Sequence, residues 1–433
     1  MKKLFLISAV TAGLFTSCVQ NDLIAPELSE AEKEIKFQTV VEKHRTRAII
    51  TGTGYDSNAP SFGTYIFQNP NGDLPGTIPY NKDGIEEIIH HNHTTHYWAP
   101  KDGINYMWPP AGSLTFFSYS PYKFQETMDA QGNPIAETDR AEISPTIPVI
   151  GQSGFIFNEY NVAAHQETDL MVADVRVGEK ANVKYGTPEH TGVPTLFRHK
   201  LALIGGFILL TSEDYDGSWE ALPAPGTGAK AGDMRFLIKR IELLNVPVVG
   251  TFKSEGRYST GTVIPEQWSI VTNPTTDGVE PTKTYVWFDS SQGVEFGHRN
   301  LKQLHIYSPE SPVENTSYAA PNIDNGYLLM IPQTFEQNNP ASLRITYVIE
   351  SWNTEQNKWV PTTRIENGVT KADIERTLPL STIHSKVEDD KTVTYGGWEM
   401  GKKIIYTLEF STEEIRWAPA VVEWSKQDVL VDF

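Results

Sequence analysis

The chain has 433 residues, with 36 Lys or Arg against 54 Asp or Glu, for a net charge of −18. That balance disfavours nucleic acid as a partner, because phosphate binding needs a basic face. The single cysteine excludes any intramolecular disulfide, so stability has to come from apolar burial and sheet hydrogen bonds.

In chain order, Met1-Lys2-Lys3 supplies a positive start, Leu4 to Phe15 an apolar stretch, and Leu14-Phe15-Thr16-Ser17-Cys18 small residues ahead of the cysteine. These features predict a lipoprotein signal peptide over residues 1–17, with diacylglycerol on the thiol of Cys18 and an acylated new amino terminus. Phe15 stands where Leu is usual, and Ser17 where Gly or Ala is commoner. The competing reading is an ordinary secretory signal that happens to contain a cysteine. The apolar stretch is too short to span a bilayer as a helix, and no later run approaches the roughly 18 residues that would be needed. Cys18 therefore predicts a protein outside the cytoplasm, tied to a membrane by its acyl chains.

Removing that peptide leaves roughly 415 residues, enough for two or three domains of roughly 100–200 residues each. Residues 18–33 read as a flexible polar spacer. Next comes Glu34–Val41, in which Ile35, Phe37, Thr39 and Val41 share one face in the period of a half-buried strand. Further strands are predicted at Gly63–Gln68, Leu114–Ser120, Thr195–Leu210, Met234–Val249, Thr284–Phe288, Tyr327–Ile331, Leu343–Glu350, Ile404–Phe410 and Val421–Val431. Turn formers such as Asn71-Gly72, Asp83-Gly84, Asp216-Gly217 and Asn367-Gly368 separate them. Many short strands with Gly and Pro turns indicate all-β sandwich architecture. Residues 178–192 lack a hydrophobic pattern and carry turn formers, which places a boundary there. The expected division is an N-terminal sandwich over 34–190 and a C-terminal one over 191–433, with Ser212–Asp233 a long loop in the second.

Three constellations bear on chemistry. His90, His91, His93 and His96 crowd one stretch, and on a strand His91 and His93 would share a face. Two imidazoles do not complete a metal site, so no metal is expected, and His199 reads as structural. The aromatic block Tyr106–Pro121 could stack on sugar rings, but its alternation fits a core strand better. Among 54 carboxylates an acid–base pair cannot be selected, and Gly-x-Ser-x-Gly, Walker and His-Glu-x-x-His patterns are absent. No catalytic residue and no cofactor is expected.

Several features together give the chain its resemblance. The cysteine is followed by an early strand and by Thr46-Arg47-Ala48. After the aromatic block come Thr168-Asp169-Leu170-Met171-Val172-Ala173 and Leu196-Phe197-Arg198-His199-Lys200-Leu201-Ala202. Leu328-Leu329-Met330-Ile331-Pro332-Gln333, Tyr406-Thr407-Leu408 and Val422-Glu423-Trp424 complete the series. In this order, over Cys18 to Trp424, the chain resembles the fimbrillin-like lipoproteins, subunits of type V pili. The resemblance implies two tandem transthyretin-like β-sandwich domains and no catalytic activity. It also implies assembly with other pilin subunits by strand exchange. A trypsin-like protease would cut between Arg47 and Ala48, or after Arg45, and the vacated groove would accept another subunit's terminal strand. Ile404–Phe410 and Val429–Phe433 both alternate as a donor strand must. The expected protein is a structural or adhesive pilus subunit, stalk or tip rather than basal anchor, with a host or bacterial surface ligand as a further candidate partner. The alternative is a monomeric surface lipoprotein that binds glycans for a nutrient-uptake system.

Overall fold

The computed structural model describes residues 34–41, 59–81, 84–91, 97–101, 106–129, 131–180, 192–211, 233–297, 303–307, 316–323, 325–388, 392–410 and 415–423. The signal peptide, Cys18, the 18–33 spacer, Arg45, Arg47 and Ala48 lie outside the described residues. So do most of the 178–192 boundary, the loop after Thr211 and the candidate donor Val429–Phe433. Among the described residues the fold is all-β, and its helices are single turns at Glu137–Asp139 and Leu380–Ile383.

Seven strands in the N-terminal half close into a ring. Around it run Phe62–Asn69, Glu86–His91, Tyr97–Pro100, Phe37–Val41, Val193–His199, Met171–Ala173 and Ser113–Ser120. The last of these pairs back onto Phe62–Asn69. A sandwich whose two sheets are joined at both sides forms such a ring, and closure removes the unpaired ladder edges.

Side-chain parity explains what fills it. On Phe62–Asn69, Phe62 and Ile66 join an interior cluster with Phe37, Ile88, Trp98, Leu114, Phe116, Met171, Val193 and Phe197. Their neighbours Tyr65 and Phe67 point the other way, into a larger cluster shared with the C-terminal half, as do Phe117 and Tyr119. Because successive side chains alternate faces, a strand apolar on both faces is covered on both. Ser113–Ser120 is accordingly buried at every position, and its sequence shows no simple alternation of polar and apolar residues.

The C-terminal half packs two sheets face to face. One holds Ala202–Thr211 at its centre, parallel to Lys402–Phe410, which pairs in turn with Ile415–Glu423 at the edge. The other is built on Thr282–Phe296, Met234–Pro247 and Ser342–Asn353. Phe410 lies 5.5 Å from Phe236, 5.3 Å from Phe296 and 5.4 Å from Tyr347 between ring centroids, so it joins the two layers.

The stretch expected as one strand, Thr195–Leu210, is two. Val193–His199 belongs to the ring and Ala202–Thr211 to the C-terminal sheet. At the break the Lys200 amide donates to the Leu170 carbonyl at 2.8 Å, the last bond toward the ring before the chain enters the C-terminal sheet. A second link crosses the halves where Ile156–Asn161 pairs with Val249–Lys253.

Candidate functional site

The candidate site is the slot that holds the first strand. Ile35, Phe37 and Thr39 are buried at 3%, 2% and 9% exposure, while Glu34, Lys36 and Gln38 between them are partly exposed. Phe37 meets the edges of Phe62 and Phe116 at 5.5 and 5.6 Å. Trp98 and Phe197 pack on Phe62 from the two flanking staves, at 5.7 and 5.3 Å. Burying two large apolar side chains contributes about 3–6 kcal/mol to the seating of this strand.

Its backbone is held on both sides, but unequally. Five residues, Phe37 to Val41, run parallel to and in register with Val193 to Phe197. On the other side a single register pair, Phe37 with Trp98, joins it to Tyr97–Pro100. Just before the strand the Ile35 amide donates to the Tyr106 carbonyl at 2.8 Å, and the Val193 amide donates to the Lys36 carbonyl at 2.7 Å. Gly192 makes that approach feasible. A Cβ there would lie 3.0 Å from the Lys36 carbonyl oxygen and 3.1 Å from the Gln38 nitrogen, both of them backbone atoms.

The other expected positions separate clearly. Of the histidine run, His90 packs against the Trp98 ring at 5.3 Å, and the His91 backbone pairs with Tyr97. His93 and His96 lie outside the described residues. Among the described residues no group of three or more His, Cys, Asp or Glu is arranged to hold a metal. The aromatic block is core: Trp108 packs on Phe116 at 6.1 Å, Phe117 and Tyr119 enter the larger cluster, and the Tyr106 hydroxyl donates to Glu86. His199 sits 2.6 Å through Nδ1 from the buried carboxylate of Asp169, between the two halves.

Ile404, Tyr406, Leu408 and Phe410, expected as a donor strand, are fully buried inside the C-terminal sheet, between Ala202–Thr211 and Ile415–Glu423. Tyr406 is also fixed by the Trp398 Nε1, which donates to its hydroxyl at 2.9 Å, and by His384 Nε2 at 2.9 Å. Giving this strand to another subunit would empty the core. Ile415–Glu423 differs, because it pairs only with Lys402–Phe410 among the described residues and carries Pro419 within it. Proline cannot donate to a ladder and belongs on edge strands.

Sequence reasoning missed the walls of the slot. Trp98 ends the histidine run, which reads as a polar, exposed strand or loop, and Val193 and Phe197 fall within the expected C-terminal sandwich. Gly192 reads locally as a turn former.

The chain matches no protein-family model and no curated protein. The solved structures it is similar to are fimbrial and cell-adhesion proteins. A fimbrial protein of Bacteroides vulgatus is 15% identical with a TM-score of 0.46, over 90% of this chain and 99% of that one. A fimbrilin of Porphyromonas gingivalis is 8% identical with a TM-score of 0.37, over 91% and 98%. The tip fimbrial protein Mfa3 of the same organism, with its C-terminus truncated, is 12% identical with a TM-score of 0.32, over 90% and 100%.

Proposed function

We propose that this chain is a non-enzymatic, pilin-like subunit that assembles by strand exchange into a surface fimbria, with its first strand as a removable plug. The observation that carries the reading is the place of Phe37–Val41 as one stave of a closed ring. Taking it out would expose the ladder edges of Val193–His199 and Tyr97–Pro100 beside an apolar cavity, which strongly favours accepting a strand from another chain.

Lipid on Cys18 tethers the chain to the outer membrane, and a cut between Arg47 and Ala48 severs tether and plug together. Release and readiness to polymerise become one event, which suits a stalk or tip subunit better than a basal anchor. The donor comes from the edge strand Ile415–Glu423 or the residues after it, whose removal would leave the core strand Lys402–Phe410 in place. Two domains divide near residue 190, with the strand from Val193 returning to the first as the connection.

The test is the surface-expressed full chain, treated with a trypsin-like protease and run unboiled in SDS. The proposal expects a mature N-terminus at Ala48 and a ladder of SDS-resistant oligomers. A chain that stays monomeric after loss of residues up to Arg47 overturns it, as does an intact N-terminus on a chain that has polymerised.

A further inference from the structure

A cleft of about 730 Å³ lies against the Glu86–His91 and Tyr97–Pro100 hairpin, sharing Trp98 with the slot but no residue of the first strand. Its volume lies within the roughly 300–1,000 Å³ range of small-molecule sites. Pro60, Ile89 and Trp98 give it apolar surface, and Ser61, Gln125 and Thr138 give it uncharged hydrogen-bonding groups.

Its charges are arranged unevenly. Glu87 is already satisfied: it accepts from the Ser61 hydroxyl at 2.7 Å and pairs with Lys101 at 2.7 Å. Glu137 lines the cleft from an exposed turn, where water screens it. That leaves Lys123 and Arg140, which line the same cleft. The Arg140 Nε is buried and has no hydrogen-bond partner among the described residues, an arrangement that favours an added acceptor. Both residues are anchored through their backbones. The backbone of Lys123 bridges to Glu142 and its carbonyl accepts from the Gln125 amide at 2.6 Å, while the Arg140 amide closes the turn onto Glu137 at 3.4 Å.

We propose that this cleft binds an acidic saccharide, with the sugar carboxylate facing Lys123 and Arg140 and its hydroxyls facing the uncharged polar wall. The unpartnered guanidinium nitrogen asks for an acceptor, and a guanidinium recognises a carboxylate through paired N–H donors. The remaining wall offers hydroxyl and amide groups over a small apolar floor, which suits a polyhydroxylated ring better than an aliphatic acid. Lys123 and Arg140 lie outside both the first strand and the walls of its slot, so the charged end of the site is separate from strand exchange.

Calorimetric titration of the full chain with sialyllactose, digalacturonate and neutral lactose tests this. At least one acidic sugar should bind, with lactose weaker by roughly tenfold or more, the size expected for a lost charge-assisted contact. Arg140→Gln and Lys123→Gln should each weaken the acidic sugar by a similar factor with unchanged circular dichroism and melting. Ile365→Ser, at a position 79% exposed on a separate hairpin, should change nothing. Affinity should drop at about 0.5 M salt, where screening reaches a few ångströms. The proposal is overturned if neither acidic sugar binds up to about 10 mM, or if lactose binds as tightly. Unchanged binding in the Arg140→Gln, Lys123→Gln double variant overturns it too, as does equal competition by acetate or a glutamate-containing peptide.

Discussion

Phe37 faces Trp98 at the one position where the first strand is in register with Tyr97–Pro100, while five positions join that strand to Val193–His199. The ring is therefore weakest on its Trp98 side, and a departing strand would part there first. Phe37 also supplies the largest side chain of the plug, fitted between Phe62 and Phe116.

Phe37→Ala should consequently destabilise the N-terminal half by about 3–5 kcal/mol, the cost of emptying a buried aromatic site. Lys36→Ala, on the outward face, should stay within about 0.5 kcal/mol. Denaturant midpoints followed by a probe in the ring give both values. The Phe37→Ala chain should also polymerise faster once cut, because its plug leaves more readily. An unchanged midpoint would mean that Phe37 does not hold the ring shut.

The all-β class was legible because turn formers and short apolar runs recur along the whole chain. The first strand was legible because Ile35, Phe37 and Thr39 face a core while Glu34, Lys36 and Gln38 face water. Ring closure was not, since it depends on pairings between Phe37–Val41 and Val193–His199, more than 150 residues apart in sequence, and local pattern carries no register. The single long stretch at 195–210 misled for the same reason: both its halves are apolar strands, and only the buried Lys200 between them marks the crossing. Ile404–Phe410 read as a donor because alternation looks alike in a strand to be given away and in one inside a sheet.

His384 gives the C-terminal half a pH dependence. Burial lowers its pKa from 6.5 to about 4. The ring is neutral when Nε2 accepts from the Tyr406 hydroxyl, which in turn accepts from Trp398. The unfolded chain protonates below about pH 6.5 and the folded one only near pH 4, so between these values the unfolded state binds more protons. Stability from the neutral form is complete above pH 6.5 and falls as the pH drops toward 4, by roughly 3 kcal/mol over the window. His384→Gln should flatten that part of the stability–pH curve. A curve of the same slope in the variant would show that another group is responsible.

Lys200 is 3% exposed and its ammonium meets Glu266 at 2.6 Å. Burial lowers its pKa and Glu266 opposes the shift. Removing the partner by Glu266→Ala strands a buried cation, at a cost of about 3–5 kcal/mol. Lys200→Met in that background should recover most of the loss, because replacing a buried pair by apolar side chains is often close to neutral. Thermal or urea unfolding of the single and double variants closes the cycle. A double variant no more stable than Glu266→Ala would place the cost elsewhere, for instance in the Lys200 carbonyl's bond from Trp268 Nε1 at 2.7 Å.

Strand exchange is directional, and that makes the donor testable without an atomic view of the polymer. A chain ending at Glu423 keeps every strand of the C-terminal sheet among the described residues, whereas one ending at Phe410 also loses Ile415–Glu423. Either should still accept a strand in its opened ring if the N-terminal half folds as before. A head-to-tail interface extends only while each subunit offers both surfaces, so a chain without its donor should end each filament it enters. Mixed with the full chain before protease treatment, such a variant should shorten the SDS-resistant ladder in proportion to the amount added. If the Glu423 variant terminates, the donor lies after that residue; if only the Phe410 variant does, it is Ile415–Glu423. Ladders of full length with both variants would remove the C-terminal segment from the exchange altogether.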